Sequence, residues 1–146
     1  HVFDIRRKRY GDPELIDDGF IDVKYFDSRR TRISKIVPKA GQRFSFTYEY
    51  DFGDRWNHEI LFEGCPTKES GKKYPLCLDG ERACPPEDAG GLDGYEEFLE
   101  AIRDKTHDER AAMFEWVDGW FDPDEFDPQV ATKSMRKGLP NWREME

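Results

Sequence analysis

Between Arg43 and Glu63 the chain reads RFSFTYEYDFGDRWNHEILFE, and its alternation leaves little freedom. Phe44, Phe46, Tyr48 and Tyr50 share one parity. Arg43, Ser45, Thr47, Glu49 and Asp51 share the other. Strand side chains point to opposite faces in turn, so such a segment has one aromatic face and one polar face. After a break the pattern resumes, with Trp56, His58, Ile60 and Phe62 on one face and Asn57, Glu59, Leu61 and Glu63 on the other. Rings and β-branched residues suit a half-buried pleated surface. The break is Asp51-Phe52-Gly53-Asp54, where glycine tolerates turn geometry and aspartates bond nearby amides. A β-hairpin over residues 43–63 is therefore predicted.

Asp51, Asp54 and His58 are also the first candidate functional cluster. Carboxylates hold hard cations, and histidine transfers protons or binds metals near neutral pH. The plainer reading assigns the aspartates to turn chemistry and His58 to a satisfied place among the rings.

The length of 146 residues suffices for one domain with a proper core. Aromatics at 14% argue against disorder despite 38% charged residues. No apolar run approaches the ~20 residues that span a bilayer, and no signal-peptide pattern is present. These readings give an expectation of a cytoplasmic protein without a membrane partner. Three cysteines, Cys65, Cys77 and Cys84, argue against a disulfide framework. The net charge of −9 is uneven. Residues 1–77 are close to neutral at +2, and residues 78–146 carry −11. That imbalance disfavours a broad nucleic-acid footprint, because phosphate binding is largely electrostatic.

His1 to Ile5 alternates like a strand already under way, so an N-terminal piece is expected ahead of this numbering. Arg6 to Arg9 is a basic quartet, read as a solvated edge or loop, followed by a turn signal at Tyr10-Gly11-Asp12-Pro13. Phe20 to Tyr25 gives a brief extended segment. Ser28 to Arg43 contains Arg29, Arg30, Arg32, Lys35, Lys39 and Arg43 and no acidic residue. It is either a charged linker or a phosphate-contacting arm, with Arg29, Arg30 and Arg32 as the contact candidates. Thr31 to Val37 reads as a strand or short helix ending before Pro38.

Residues 74–91 hold prolines and glycines that rule out a regular element. Long ordered loops are often functional, which adds Glu87 and Asp88 to the candidate cluster. Cys77 and Cys84 lie too far apart for a common zinc knuckle, so buried thiols are the alternative. Helices follow. Tyr95, Phe98, Leu99 and Ile102 form one apolar stripe. Thr106 and Glu109 have the spacing of a capping box, and Gly119 ends the next helix. Asp127-Pro128 starts a last helix that runs to about Lys137 and stops at Gly138. Residues 1–138 are expected to form a single α+β domain and 139–146 a loosely held tail in which Trp142 has a place to dock. His107 is expected at the surface.

Three stretches resemble a known family. Tyr50-Asp51-Phe52-Gly53-Asp54-Arg55-Trp56-Asn57-His58-Glu59-Ile60 is similar to the YDFGDxWxHxI signature of the plasmid pRiA4b ORF-3-like proteins. Cys77-Leu78-Asp79-Gly80-Glu81-Arg82-Ala83-Cys84-Pro85-Pro86-Glu87-Asp88, with the Gly90–Phe98 segment after it, is the second match. Trp116 to Asp127 resembles the family's closing segment, and His1-Val2-Phe3 resembles the end of its HLHxF segment. Two departures stand out: the N-terminal strand and helix usual in the family are absent from this numbering, and Ala89 stands where many relatives carry cysteine. The resemblance implies an α+β domain of plasmid or mobile-element type and supplies no mechanism. Some members carry a resolvase label, yet neither Ser28 nor Ser34 lies in a recognisable serine-recombinase motif.

The fold expected is α+β, an antiparallel sheet around a central hairpin with C-terminal helices packed on its aromatic face. Two functions are open. One is a non-catalytic interaction module for a protein or nucleic acid, using the hairpin's polar edge, the proline-rich loop and the Arg29–Arg43 stretch. The other is a metal-dependent hydrolase or nuclease using Asp51, Asp54 and His58, aided by Glu87 and Asp88. No cofactor motif is visible, and the sequence identifies neither a cofactor nor a metal.

Overall fold

The predicted hairpin is formed by β4 (Phe44–Tyr50) and β5 (Trp56–Phe62), with Phe46 opposite Ile60 and Tyr48 opposite His58. It does not stand alone. β1 (Val2–Ile5), β2 (Lys8–Gly11) and β3 (Tyr25–Asp27) complete a five-stranded sheet in the order β3-β2-β1-β4-β5. The computed structural model describes residues 1–13, 24–38 and 42–138. The segments read at Phe20–Val23, Lys39 and 139–146 lie outside them. The fold class is α+β, with an open sheet early in the chain and three helices late.

The sheet is mixed rather than wholly antiparallel, because β2 and β3 run parallel. The hairpin also occupies one side of the sheet, with β5 at an edge and β4 second. The basic quartet, expected as a solvated edge or loop, is exposed throughout but is half turn and half strand. Arg6 and Arg7 both take left-handed φ, 53° and 64°, and turn the chain from β1 into β2. Such a tight turn favours Asn-Gly. Arginine at both positions hides the turn, and Lys8 and Arg9 are already strand.

The chain forms two compact units, residues 1–67 with 88–95, and residues 68–87 with 96 onward. In the first, one face of the sheet gathers the rings. Ile5, Tyr10 and Phe46 are buried, and Phe3, Phe26, Phe44, Ile60 and Phe62 pack against them. Register explains the grouping. Phe3 faces Tyr48 across β1 and β4 with ring centroids 4.5 Å apart, and Tyr10 faces Phe26 across β2 and β3 at 5.3 Å. Ile36, following a 3₁₀ turn at Ile33–Lys35, joins this cluster. Each buried apolar side chain contributes about 1.5–3 kcal/mol, so this face dominates the unit's stability. The opposite face buries Val2 and is otherwise more polar, and there Arg9 donates to the Tyr25 hydroxyl at 3.1 Å and pairs with Asp4 at 3.7 Å.

In the second unit the helices follow the apolar spacing. α1 (Gly91–Arg103) buries Phe98, Ala101 and Ile102. Phe98 takes Trp116 and Phe121 edge-on at 5.5 and 5.2 Å, so the end of α2 (Arg110–Trp116) is fixed by the same ring. The capping box does not form. Asp104 captures both the amide and the hydroxyl of Thr106, at 2.8 and 2.7 Å, and α2 begins only at Arg110. His107 is half-buried, and its Nδ1 accepts the Glu109 amide at 3.2 Å, rather than lying free at the surface. α3 (Pro128–Lys137) starts as expected. Asp127 accepts the Gln129 and Val130 amides, Pro128 fills the first turn, and Gly138 follows with φ 77°.

Candidate functional site

At the hairpin tip, Asp51 takes left-handed φ of 56° and turns its carboxylate back on its own loop. Its Oδ1 accepts the Gly53 amide at 2.8 Å and the Asp54 amide at 3.3 Å, while its carbonyl accepts the Arg55 amide at 2.7 Å. This is the plain turn chemistry that aspartate next to Phe52-Gly53 permits. Asp54 reaches further. Its Oδ2 accepts the Gly90 amide at 3.1 Å, just ahead of α1.

The two segments are in close contact there. A Cβ on Gly91 would lie 2.7 Å from the Asp54 carbonyl oxygen, and Gly91 has φ of 70°. A Cβ on Gly94 would lie 2.1 Å from the Ala89 carbonyl. Only glycine admits both the conformation and the approach at Gly91. Trp56, at the start of β5, meets Tyr95 edge-on at 6.3 Å. Asp54, Trp56, Gly90, Gly91 and Tyr95 thus form one clasp between the hairpin and the start of α1. The negative carboxylate lies where the helix dipole favours it.

His58 departs from the plainer reading. It is exposed rather than buried among rings. Its ring rests against Tyr48 at 5.4 Å, and the Tyr48 carbonyl accepts from Nδ1 at 3.2 Å. Burial raises the Tyr48 hydroxyl's pKa. Glu87 and Asp88 are both exposed, and Asp88 takes φ of 58° on the approach to Gly90. Among the described residues no three His, Cys, Asp or Glu side chains are grouped to hold a metal ion. Asp51, Asp54 and His58 are therefore not gathered into one metal centre. Asp51 and Asp54 are instead joined to backbone amides. The thiols differ from expectation too. Cys84 and Cys65 are exposed, and Cys77 is half-buried with its Sγ donating to the Asp79 carbonyl at 3.4 Å.

The basic stretch is partly neutralised at its start. Arg29 pairs with Asp12 at 3.1 Å and Asp27 at 3.2 Å, and Arg30 pairs with Asp27 at 3.4 Å. The hydrogen bond from Arg29 holds the Asp27 carboxyl below its ordinary range. Arg32 is exposed, and Arg43 pairs with Glu63. The described part is thus two 3₁₀ turns, Ser28–Arg30 and Ile33–Lys35, rather than an extended arm.

The second and third sequence motifs meet each other in the second unit. The Ala83 amide donates to the Pro123 carbonyl at 3.0 Å. The Phe126 ring lies on Gly80, where a Cβ would be 2.4 Å from it. Sequence reasoning missed these ties and the Asp54–Gly90 bond. One signal was available: Ala89-Gly90 precedes a strongly amphipathic helix yet offers no side-chain acceptor, so the acceptor had to come from elsewhere.

Residues 1–130 match the profile of the family described as Plasmid pRiA4b ORF-3-like protein. The chain is similar to the Uncharacterized protein y4hQ of Sinorhizobium fredii, 38% identical over 119 residues, covering 80% of this chain and 58% of that protein. It is also similar to the crystal structure of a protein of unknown function, MM3350, from Methanosarcina mazei Go1. There the TM-score is 0.67 at 32% identity, covering 84% of this chain and 64% of the other. The chain thus matches less than two thirds of either relative's length. No helix among the described residues is long and apolar enough to cross a membrane.

Proposed function

The chain belongs to the plasmid pRiA4b ORF-3-like family, and from that premise we propose that it is a non-catalytic binding module for a protein partner. The observation that carries this reading is the commitment of the Asp51 and Asp54 carboxylates to the amides of Gly53, Asp54 and Gly90. A hydrolytic site asks such groups to converge on a cation or a water with open lone pairs. Here the most motif-rich stretch serves as a fastening.

Two features favour a protein over a nucleic acid. Arg29 and Arg30 are ion-paired to carboxylates of their own unit, and the whole chain is acidic, at −9. Phosphate binding needs cations free to displace counterions. In contrast, β5 is the last strand of the sheet, and one of its edges has no strand partner among the described residues. A seven-residue edge offers backbone N–H and C=O groups that an extended segment can pair.

The test is turnover. The full chain is incubated with bis(p-nitrophenyl) phosphate and with supercoiled plasmid, each with magnesium or manganese. The module reading expects no product above the buffer rate. Cleavage that is lost in His58→Ala and in Asp51→Asn would replace this reading with the hydrolase.

A further inference from the structure

In the second unit the loop around residues 73–78 is fastened along α3 at two points. Thr132, the buried polar residue of that helix, accepts the Cys77 amide through its hydroxyl at 2.9 Å. Arg136 donates from Nε to the Pro75 carbonyl at 3.0 Å and from Nη2 to the Lys73 carbonyl at 2.5 Å. These bonds hold open a groove of about 640 Å³ between the loop and one face of the helix. Leu76, Leu78 and Pro128 supply apolar lining, and Lys133 and Lys137 line it as well. Leu78 is 83% exposed, an unusual position for leucine in a loop that is otherwise tied down.

The charge of α3 runs against that of the C-terminal half of the sequence. Residues 78–146 carry −11, yet α3 contains Lys133, Arg136 and Lys137 and no acidic residue. Cations concentrated at an apolar groove select a partner of opposite sign and repel cationic ones. A volume of this size is ample for a large apolar side chain and its neighbours.

We propose that this groove docks an acidic peptide segment of a partner protein, with a Leu or Phe entering between Leu78 and Pro128 and flanking carboxylates meeting Lys133 and Lys137. The proposal rests on the binding-module reading and supplies its partner's chemistry. The fastening of the loop by Thr132 and Arg136 preorganises the site, which lowers the ordering cost of binding.

Fluorescence anisotropy tests it with the full chain and a panel of fluorescein-labelled peptides in which Leu or Phe is flanked by Asp and Glu. A matched panel carries Lys and Arg in place of the acids. The acidic peptides bind saturably, and binding weakens as salt rises. Leu78→Ser weakens it roughly tenfold, and Lys133→Glu with Lys137→Glu weakens it by roughly tenfold or more. All these positions are exposed, and circular dichroism checks that the variants stay folded. Equal binding of basic and acidic panels, or binding indifferent to both variants, overturns the proposal. So does self-association that Leu78→Ser abolishes, which assigns the groove to a second copy of the chain. Failure of every acidic peptide removes the groove as a docking site and leaves the module reading standing, since that reading falls on the turnover assay instead.

Discussion

Gly91→Ala places a methyl carbon 2.7 Å from the Asp54 carbonyl oxygen and forces alanine to φ of 70°. The neighbouring Gly90 has φ of 83°, but a Cβ there meets only the Gly94 Cα at 3.5 Å, an ordinary contact. The pair separates two costs at adjacent positions. Left-handed backbone costs a residue with a side chain about 1–2 kcal/mol. The stiffer unfolded chain of an alanine variant offsets this by about 0.4–1 kcal/mol. Gly90→Ala therefore destabilises by about 1 kcal/mol. Gly91→Ala adds a forced displacement of backbone against backbone, and crowding of that kind costs about 1–3 kcal/mol. Its total is about 2–4 kcal/mol, and the damage falls on the clasp between hairpin and helix.

Hydrogen exchange in graded urea suits the question, because two units need not unfold as one and exchange reports each segment separately. Amides of Trp56–Phe62 lose protection in Gly91→Ala well before they do in Gly90→Ala. Equal protection in the two variants, to within about 0.5 kcal/mol, would refute the close approach and with it the structural role given to the Asp54 turn.

Phe46→Ala empties the centre of the ring cluster and lowers the first unit's stability by about 3–5 kcal/mol, measured by urea denaturation. Gly80→Ala drives a Cβ into the outer end of the Phe126 ring, which is 37% exposed, so the ring must shift, at a cost of about 1–3 kcal/mol, and its chemical shifts move. Asp27 titrates below the ordinary aspartate range because Arg29 hydrogen-bonds its charged form. Its contribution to stability is present above the unfolded carboxyl's pKa and is lost as pH falls through the lower folded one. Arg29→Ala raises the Asp27 midpoint, as carboxyl-detected NMR titration reads it.

The hairpin, α1 and α3 were legible because each is written in local periodicity. Phe44 to Phe62 alternates by two, Phe98 and Ile102 recur by four, and Asp127-Pro128 and Gly138 mark the ends of α3. β2 was not, because the turn before it uses Arg6 and Arg7 where the usual cue is asparagine and glycine. The Thr106–Glu109 spacing misled because Asp104, two residues earlier, competes successfully for Thr106. At the candidate site the residues were legible and their partners were not. Asp54 meets Gly90 across 36 positions of chain, and no local pattern encodes such a bond. His58 alternates with the rings but faces outward enough to be exposed, since β5 is an edge strand.

We propose that the Asp51–Asp54 turn fastens the fold through its bonds to the Gly53, Asp54 and Gly90 amides and holds no cation. Thermal unfolding of the wild type and of Asp54→Ala, with and without manganese or zinc, tests it most directly. Asp54→Ala costs about 1–3 kcal/mol through the lost bond to the Gly90 amide. This loss is the same with or without either metal. A metal-dependent rise in the wild-type melting temperature that vanishes in Asp54→Ala would contradict it.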